Sequence, residues 1–197
     1  RHEAAEALGA IGSPNVIAIL QKYLKDPVVE VAETCELALE RIKWLQDQNH
    51  STEQLSENPY ASVDPAPPAT ISDVDKLKEI LLNDNATLFE RYRAMFALRN
   101  MRSKAAIVAL GSALKCGSAL FRHEIAFVLG QLQDEAGVPF LKDSLEDCLE
   151  NEMVRHECAE ALGSIATEDC FKVLNRYLND EKSVVKESCE IALDMCE

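Results

Sequence analysis

A chain of 197 residues with 47% hydrophobic and 27% charged residues can bury a core, and its net charge of −14 argues against a nucleic-acid partner, whose phosphates call for a basic face. No apolar run approaches the roughly 20 residues of a membrane span, so no membrane partner is expected. Seven cysteines, without a CxxC pair, read as reduced core thiols of a cytoplasmic protein rather than as disulfides or zinc ligands.

The chain opens on Arg1-His2-Glu3. Apolar residues then recur at i, i+3 and i+4 over Ala4–Ile11, Val16–Leu24 and Val31–Leu45, which predicts three helices. Between Trp44 and Asp73 that pattern stops. Gln46 to Thr70 is polar and then proline-rich, with Asn58-Pro59-Tyr60 and Asp64-Pro65-Ala66-Pro67-Pro68, and proline disfavours helix in itself and in the residue before it. Helical stripes resume beyond Asp73 and continue to the end. The expected organisation is therefore the end of one helical block over 1–45, a linker over 46–72 and a second block over 73–197.

A shift of 154 residues lays the two ends on each other without a gap. Arg1-His2-Glu3 falls on Arg155-His156-Glu157, and Ala5-Glu6-Ala7-Leu8-Gly9 on Ala159-Glu160-Ala161-Leu162-Gly163. Farther on, Tyr23, Asp26, Cys35 and Ala38 fall on Tyr177, Asp180, Cys189 and Ala192. A shorter period runs inside this unit, 33 residues from His123 to His156 and 31 from His156 to Glu187. Helix pairs at that period mark an all-α solenoid, with about eleven or twelve helices and no sheet. Gly9, Gly130 and Gly163 recur at one helix position and should permit close helix packing, while Trp44 and Tyr60 are expected to be packing residues. In the second block Tyr92, His123, His156 and Glu187 share one register, against only His2 and Glu33 in the first. By the same subtraction, roughly 80 residues and a further His-Glu pair are expected upstream of Arg1, making this an N-terminally truncated chain.

Three of the four histidines sit in the same tripeptide, Arg-His-Glu, at His2, His123 and His156; the fourth, His50, lies in the polar stretch. Imidazole is a common transition-metal ligand and a carboxylate supplies a hard oxygen. Each pair is expected in the first turn of the second helix of its repeat. Neighbouring residues on a helix diverge by about 100°, so one His and the next Glu serve two ions, or an ion and a substrate, more readily than they chelate one. A carboxylate at a helix start is also favoured by the helix dipole alone. That explanation fits a single pair better than three in register, because Tyr92-Arg93 and Glu33-Thr34 occupy the same position without the motif. The preceding arginine is expected to pair with nearby acidic residues.

Four strings carry a family resemblance: Ser62 to Pro68 (SVDPAPP), Phe89 to Arg99 (FERYRAMFALR), Gly117 to Glu124 (GSALFRHE) and Met153 to Leu162 (MVRHECAEAL). With His-Glu motifs on HEAT-type repeats, they resemble the deoxyhypusine hydroxylases over essentially the whole chain. The resemblance implies an oxygen-dependent non-haem di-iron monooxygenase that hydroxylates the deoxyhypusine side chain of translation initiation factor 5A. It implies that one iron takes His2 and Glu124, and the other His123 and His156, each completed by an upstream His-Glu motif. It further implies that Glu3 and Glu157 hold the cationic amine of the substrate. With the upstream motif absent, this chain alone is expected to be inactive. The alternative is a HEAT-repeat scaffold that binds protein partners without catalysis.

Overall fold

Residues 1–47 and 52–195 are described by the computed structural model; His50, Cys196 and part of the 46–72 stretch lie outside them. Among the described residues every regular element is helical: α1 (His2–Ile11), α2 (Ile17–Tyr23), α3 (Val29–Gln46), α4 (Val74–Leu82), α5 (Leu88–Met101), α6 (Lys104–Ser112), α7 (Ala119–Leu132), α8 (Val138–Glu146), α9 (Glu152–Ile165), α10 (Glu168–Arg176) and α11 (Ser183–Asp194). The all-α reading holds, and the first three helices fall within two residues of the expected ranges. They divide into two compact units, Arg1–Asn100 and Met101–Glu197.

In the first unit α1 lies along α3. Ala5, Leu20, Val31, Cys35, Ala38 and Ile42 form the shared core, with Leu8, Ile17 and Tyr23 packed against it. A Cβ placed on Gly9 would stand 2.7 Å from the Ala38 Cβ, so the two helices meet at a distance only glycine allows.

The proline-rich stretch is not helical, yet it is anchored. Arg99, fully buried, grips Asp64 through two hydrogen bonds of 2.8 and 2.6 Å, and its guanidinium stacks on the rings of Tyr60 and Phe96. Prolines accept hydrogen bonds but donate none, and Arg93 donates to the carbonyls of Pro67 and Pro68. Arg41 ties the backbone of the same loop to α1, donating to the carbonyls of Asp64 and Gly9. Tyr60 is thus a packing residue, as expected. At the start of α5, Thr87 and Glu90 form a reciprocal cap: Glu90 Oε2 accepts from the Thr87 amide at 3.0 Å, and the Glu90 amide donates to Thr87 Oγ1.

The second unit is built of helix pairs, α6 with α7, α8 with α9 and α10 with α11, in which α7, α9 and α11 stack side by side. Gly130 meets Ala161, and Gly163 meets Ala192, with would-be Cβ contacts of 3.1 and 2.6 Å. The glycine register is thereby explained: each removes the side chain that would hold neighbouring helices apart. Ser103, Ser118, Asn151 and Thr167 cap α6, α7, α9 and α10 by accepting from amides of the first turn.

Candidate metal centre

The arginine of each Arg-His-Glu points away from the histidine and locks one repeat to the next turn. Arg155 donates to Asp180 at 2.6 and 3.1 Å and to the Leu145 carbonyl at 2.9 Å, with Tyr177 beneath its guanidinium. Arg1 makes the equivalent ion pair with Asp26 over Tyr23, and Arg122 pairs bidentately with Glu150. Asp180 also accepts from the Lys182 amide, capping the approach to α11. The hydrogen bond from Arg155 holds the Asp180 carboxyl below the ordinary carboxylate range.

With the arginine fixed, the next residue on each helix is turned to another face. Ser118 and Asn151 cap α7 and α9 five residues before the histidines, so His123 and His156 are each the fifth residue of their helix, not part of its first turn as expected. The caps are the physical reason: a side-chain acceptor at Ser118 or Asn151 nucleates the helix earlier than the apolar stripe alone suggests.

The stacking of α7 on α9 brings the two imidazoles together, with ring centroids 5.5 Å apart. Glu157 joins them, its Oε2 3.1 Å from His123 Nε2. Ligand atoms of His123, His156 and Glu157 all lie within 4.8 Å of one another, and among the described residues this is the group of such side chains close enough to share an ion. All three are largely shielded, with side-chain exposures of 14%, 21% and 10%. Glu124 is buried on α7 but is not part of this trio. His2 and Glu3 lie on α1 of the first unit, with His2 Nε2 2.9 Å from Glu3 Oε1 and the Glu3 carboxylate mostly exposed.

Two imidazole nitrogens and a carboxylate oxygen in this compass form a donor set suited to a divalent first-row metal, iron among them. Burial pushes the Cys158 thiol up, and likewise raises Cys189 to about 12, so neither is a ready thiolate near neutral pH.

Two residues beside the trio were not singled out from sequence. Glu160 Oε1 lies 3.3 Å from His156 Nδ1, and Ser188 on α11 donates to the same oxygen at 2.9 Å. The His156 contact, aided by Ser188 and opposed by partial burial, keeps the Glu160 carboxyl below its ordinary range. The signal was present: a carboxylate four residues after His156, and a hydroxyl at position 188 where the duplicate carries Thr34.

The family described as HEAT repeats matches residues 107–194, and that described as PBS lyase HEAT-like repeat matches 1–26 and 90–116. Over the whole chain, a deoxyhypusine hydroxylase of Drosophila melanogaster is 63% identical and one of Homo sapiens 59% identical. The chain spans 65% and 64% of the length of these two relatives. The solved structure of human deoxyhypusine hydroxylase in complex with glycerol superposes with a TM-score of 0.94 at 59% identity, covering all of this chain and 67% of that one.

Proposed function

The chain belongs to the deoxyhypusine hydroxylase family, and from that premise we propose that it forms part of an enzyme hydroxylating the deoxyhypusine side chain of translation initiation factor 5A with molecular oxygen. The observation that supports this reading is the approach of His123 and His156, ring centroids 5.5 Å apart, with a carboxylate, Glu157, beside them that either a metal or a cationic amine could use. His123 and His156 hold one iron. His2 in the first unit and Glu124 in the second are each read as metal ligands, completed from the part of the family's length that this chain does not span. Bound iron supplies the activation of oxygen that insertion into a carbon–hydrogen bond requires.

The chain's own residues set the geometry and the electrostatics. The Arg155–Asp180 and Arg122–Glu150 ion pairs balance the charge of the two guanidiniums that precede the imidazoles in sequence. The contacts of Glu157 with His123 and of Glu3 with His2 support reading each as a carboxylate that would pair with a protonated amine. A substrate arm that carries ammonium groups is further favoured by the net charge of −14.

The division of carboxylates is testable in the full-length protein. Glu124→Ala should lower iron content. Glu3→Ala and Glu157→Ala should leave iron nearly intact and weaken binding of the deoxyhypusine-bearing protein, shielded Glu157→Ala by roughly 2–5 kcal/mol, the range for removing one partner of a desolvated charge pair, and exposed Glu3→Ala by less. Iron stripped equally by all three substitutions would overturn the division. Iron unaffected by His123→Ala and His156→Ala would favour the scaffold instead.

A further inference from the structure

His156 and His123 share a cluster, but the residue one turn farther along the helix differs between them. Four residues after His156, on the same face of α9, stands Glu160; four residues after His123 stands Phe127, which has no polar atom to offer. Glu160 Oε1 lies 3.3 Å from His156 Nδ1, and the same oxygen accepts from Ser188 Oγ at 2.9 Å. Ser188 is buried, with 4% of its surface exposed, and it comes from the next stacked helix, α11. The carboxylate, 46% exposed at its side chain, is therefore contacted from two sides, by an imidazole on α9 and by a buried hydroxyl on α11.

An ionised carboxylate only accepts hydrogen bonds. The contact with Nδ1 then requires the proton on Nδ1, which leaves the lone pair of Nε2 available. At the duplicated position in the first unit the arrangement differs: Thr34 Oγ1 turns back to the Glu30 carbonyl of its own helix at 2.7 Å. The hydroxyl at 188 is thus not bound to this role by the helix repeat. We propose that Glu160, pinned by Ser188, is a positioning residue that sets the tautomer and ring orientation of His156 so that Nε2 faces the metal. The inference rests on the metal reading of the His123–His156 cluster for its consequence, and on geometry within α9 and α11 for its cause.

Two readouts in the full-length protein test it. In metal-free protein at pH 8, nitrogen-15 spectra of labelled histidine should show His156 as the Nδ1–H tautomer, and Glu160→Ala should shift it toward the Nε2–H form favoured by free imidazole. In titrations with Fe(II) under anaerobic conditions, Glu160→Ala should weaken binding at the centre that His156→Ala abolishes by about 10–100-fold, the usual effect of removing an outer-shell partner. Glu160→Gln, which keeps an acceptor oxygen, should recover part of both. Ser188→Ala should weaken binding less, and should add nothing in the Glu160→Ala background. Wild-type tautomer and affinity in Glu160→Ala would overturn the proposal, as would additive losses from the two substitutions. If His156→Ala itself binds Fe(II) like wild type, the metal reading fails, and the tautomer in metal-free protein still decides whether Glu160 positions the ring.

Discussion

The same tripeptide sits in two different surroundings. In the first unit, Glu3 is 73% exposed at its side chain and Arg1 58%; in the second, their duplicates Glu157 and Arg155 are 10% and 4% exposed. The local contacts are copied closely, each arginine gripping an aspartate 25 residues on and covering a tyrosine. What differs is the neighbourhood: α9 is packed between α7 and α11, while α1 packs against α3 within its unit. Desolvation, and with it the strength of every charge interaction, is conferred by adjacent helices and not by the motif.

The largest expected effect separates the two copies. Arg155→Ala strands a shielded Asp180 carboxylate and the Leu145 carbonyl, and should cost about 3–5 kcal/mol in urea denaturation at pH 7. Arg1→Ala removes a guanidinium that is itself 58% exposed but leaves the shielded Asp26 carboxylate behind, and should cost less, about 1–3 kcal/mol. Equal losses would show that the environment does not govern the pair.

A smaller effect should unite the copies. Ala in place of Gly9 or Gly163 sets a methyl group 2.7 or 2.6 Å from the Cβ of Ala38 or Ala192, and each should cost about 1–3 kcal/mol as the helices are forced apart. A penalty in one unit alone would mean that the stacking distance is not shared.

The smallest effect is a dependence on pH. Asp180 has its carboxyl depressed in the folded state, chiefly by the Arg155 hydrogen bond. Its contribution is complete above the unfolded value of about 3.9 and disappears as pH falls through the folded value. The destabilisation caused by Asp180→Asn, measured by urea denaturation across pH 7, 5 and 3.5, should therefore be flat between pH 7 and 5 and begin to shrink below about 4. A penalty that did not change with pH would assign the role of Asp180 to its cap on Lys182 alone.

Much of this was legible in the chain before the fold. The shift of 154 residues that pairs Gly9 with Gly163 and Asp26 with Asp180 predicted contacts that recur in space, because identical spacing on helices of one period returns side chains to one face. The turns at Gly117-Ser118 and Glu150-Asn151 are legible, but the helices start directly at their capping residues Ser118 and Asn151, so a full turn precedes each histidine. The anchoring of the proline-rich stretch was out of reach: Arg99 and Asp64 are 35 residues apart and nothing local joins them. The site shows the same limit. That His123 touches Glu157 on the next helix depends on how closely α7 and α9 approach, and a helical wheel drawn for one helix cannot report a distance to the next.

That approach is gauged by Gly130. It lies seven residues beyond His123, two helical turns and about 10 Å along the axis, on nearly the same face of α7. Its bare backbone rests against Ala161, and a Cβ there would stand 3.0 Å from the Ala161 Cα. The gap between two imidazoles is thus calibrated by a residue that carries no functional group. Inherited or engineered changes at Gly130 should then present as metal-site defects, in a residue that chemical inspection of the cluster would pass over.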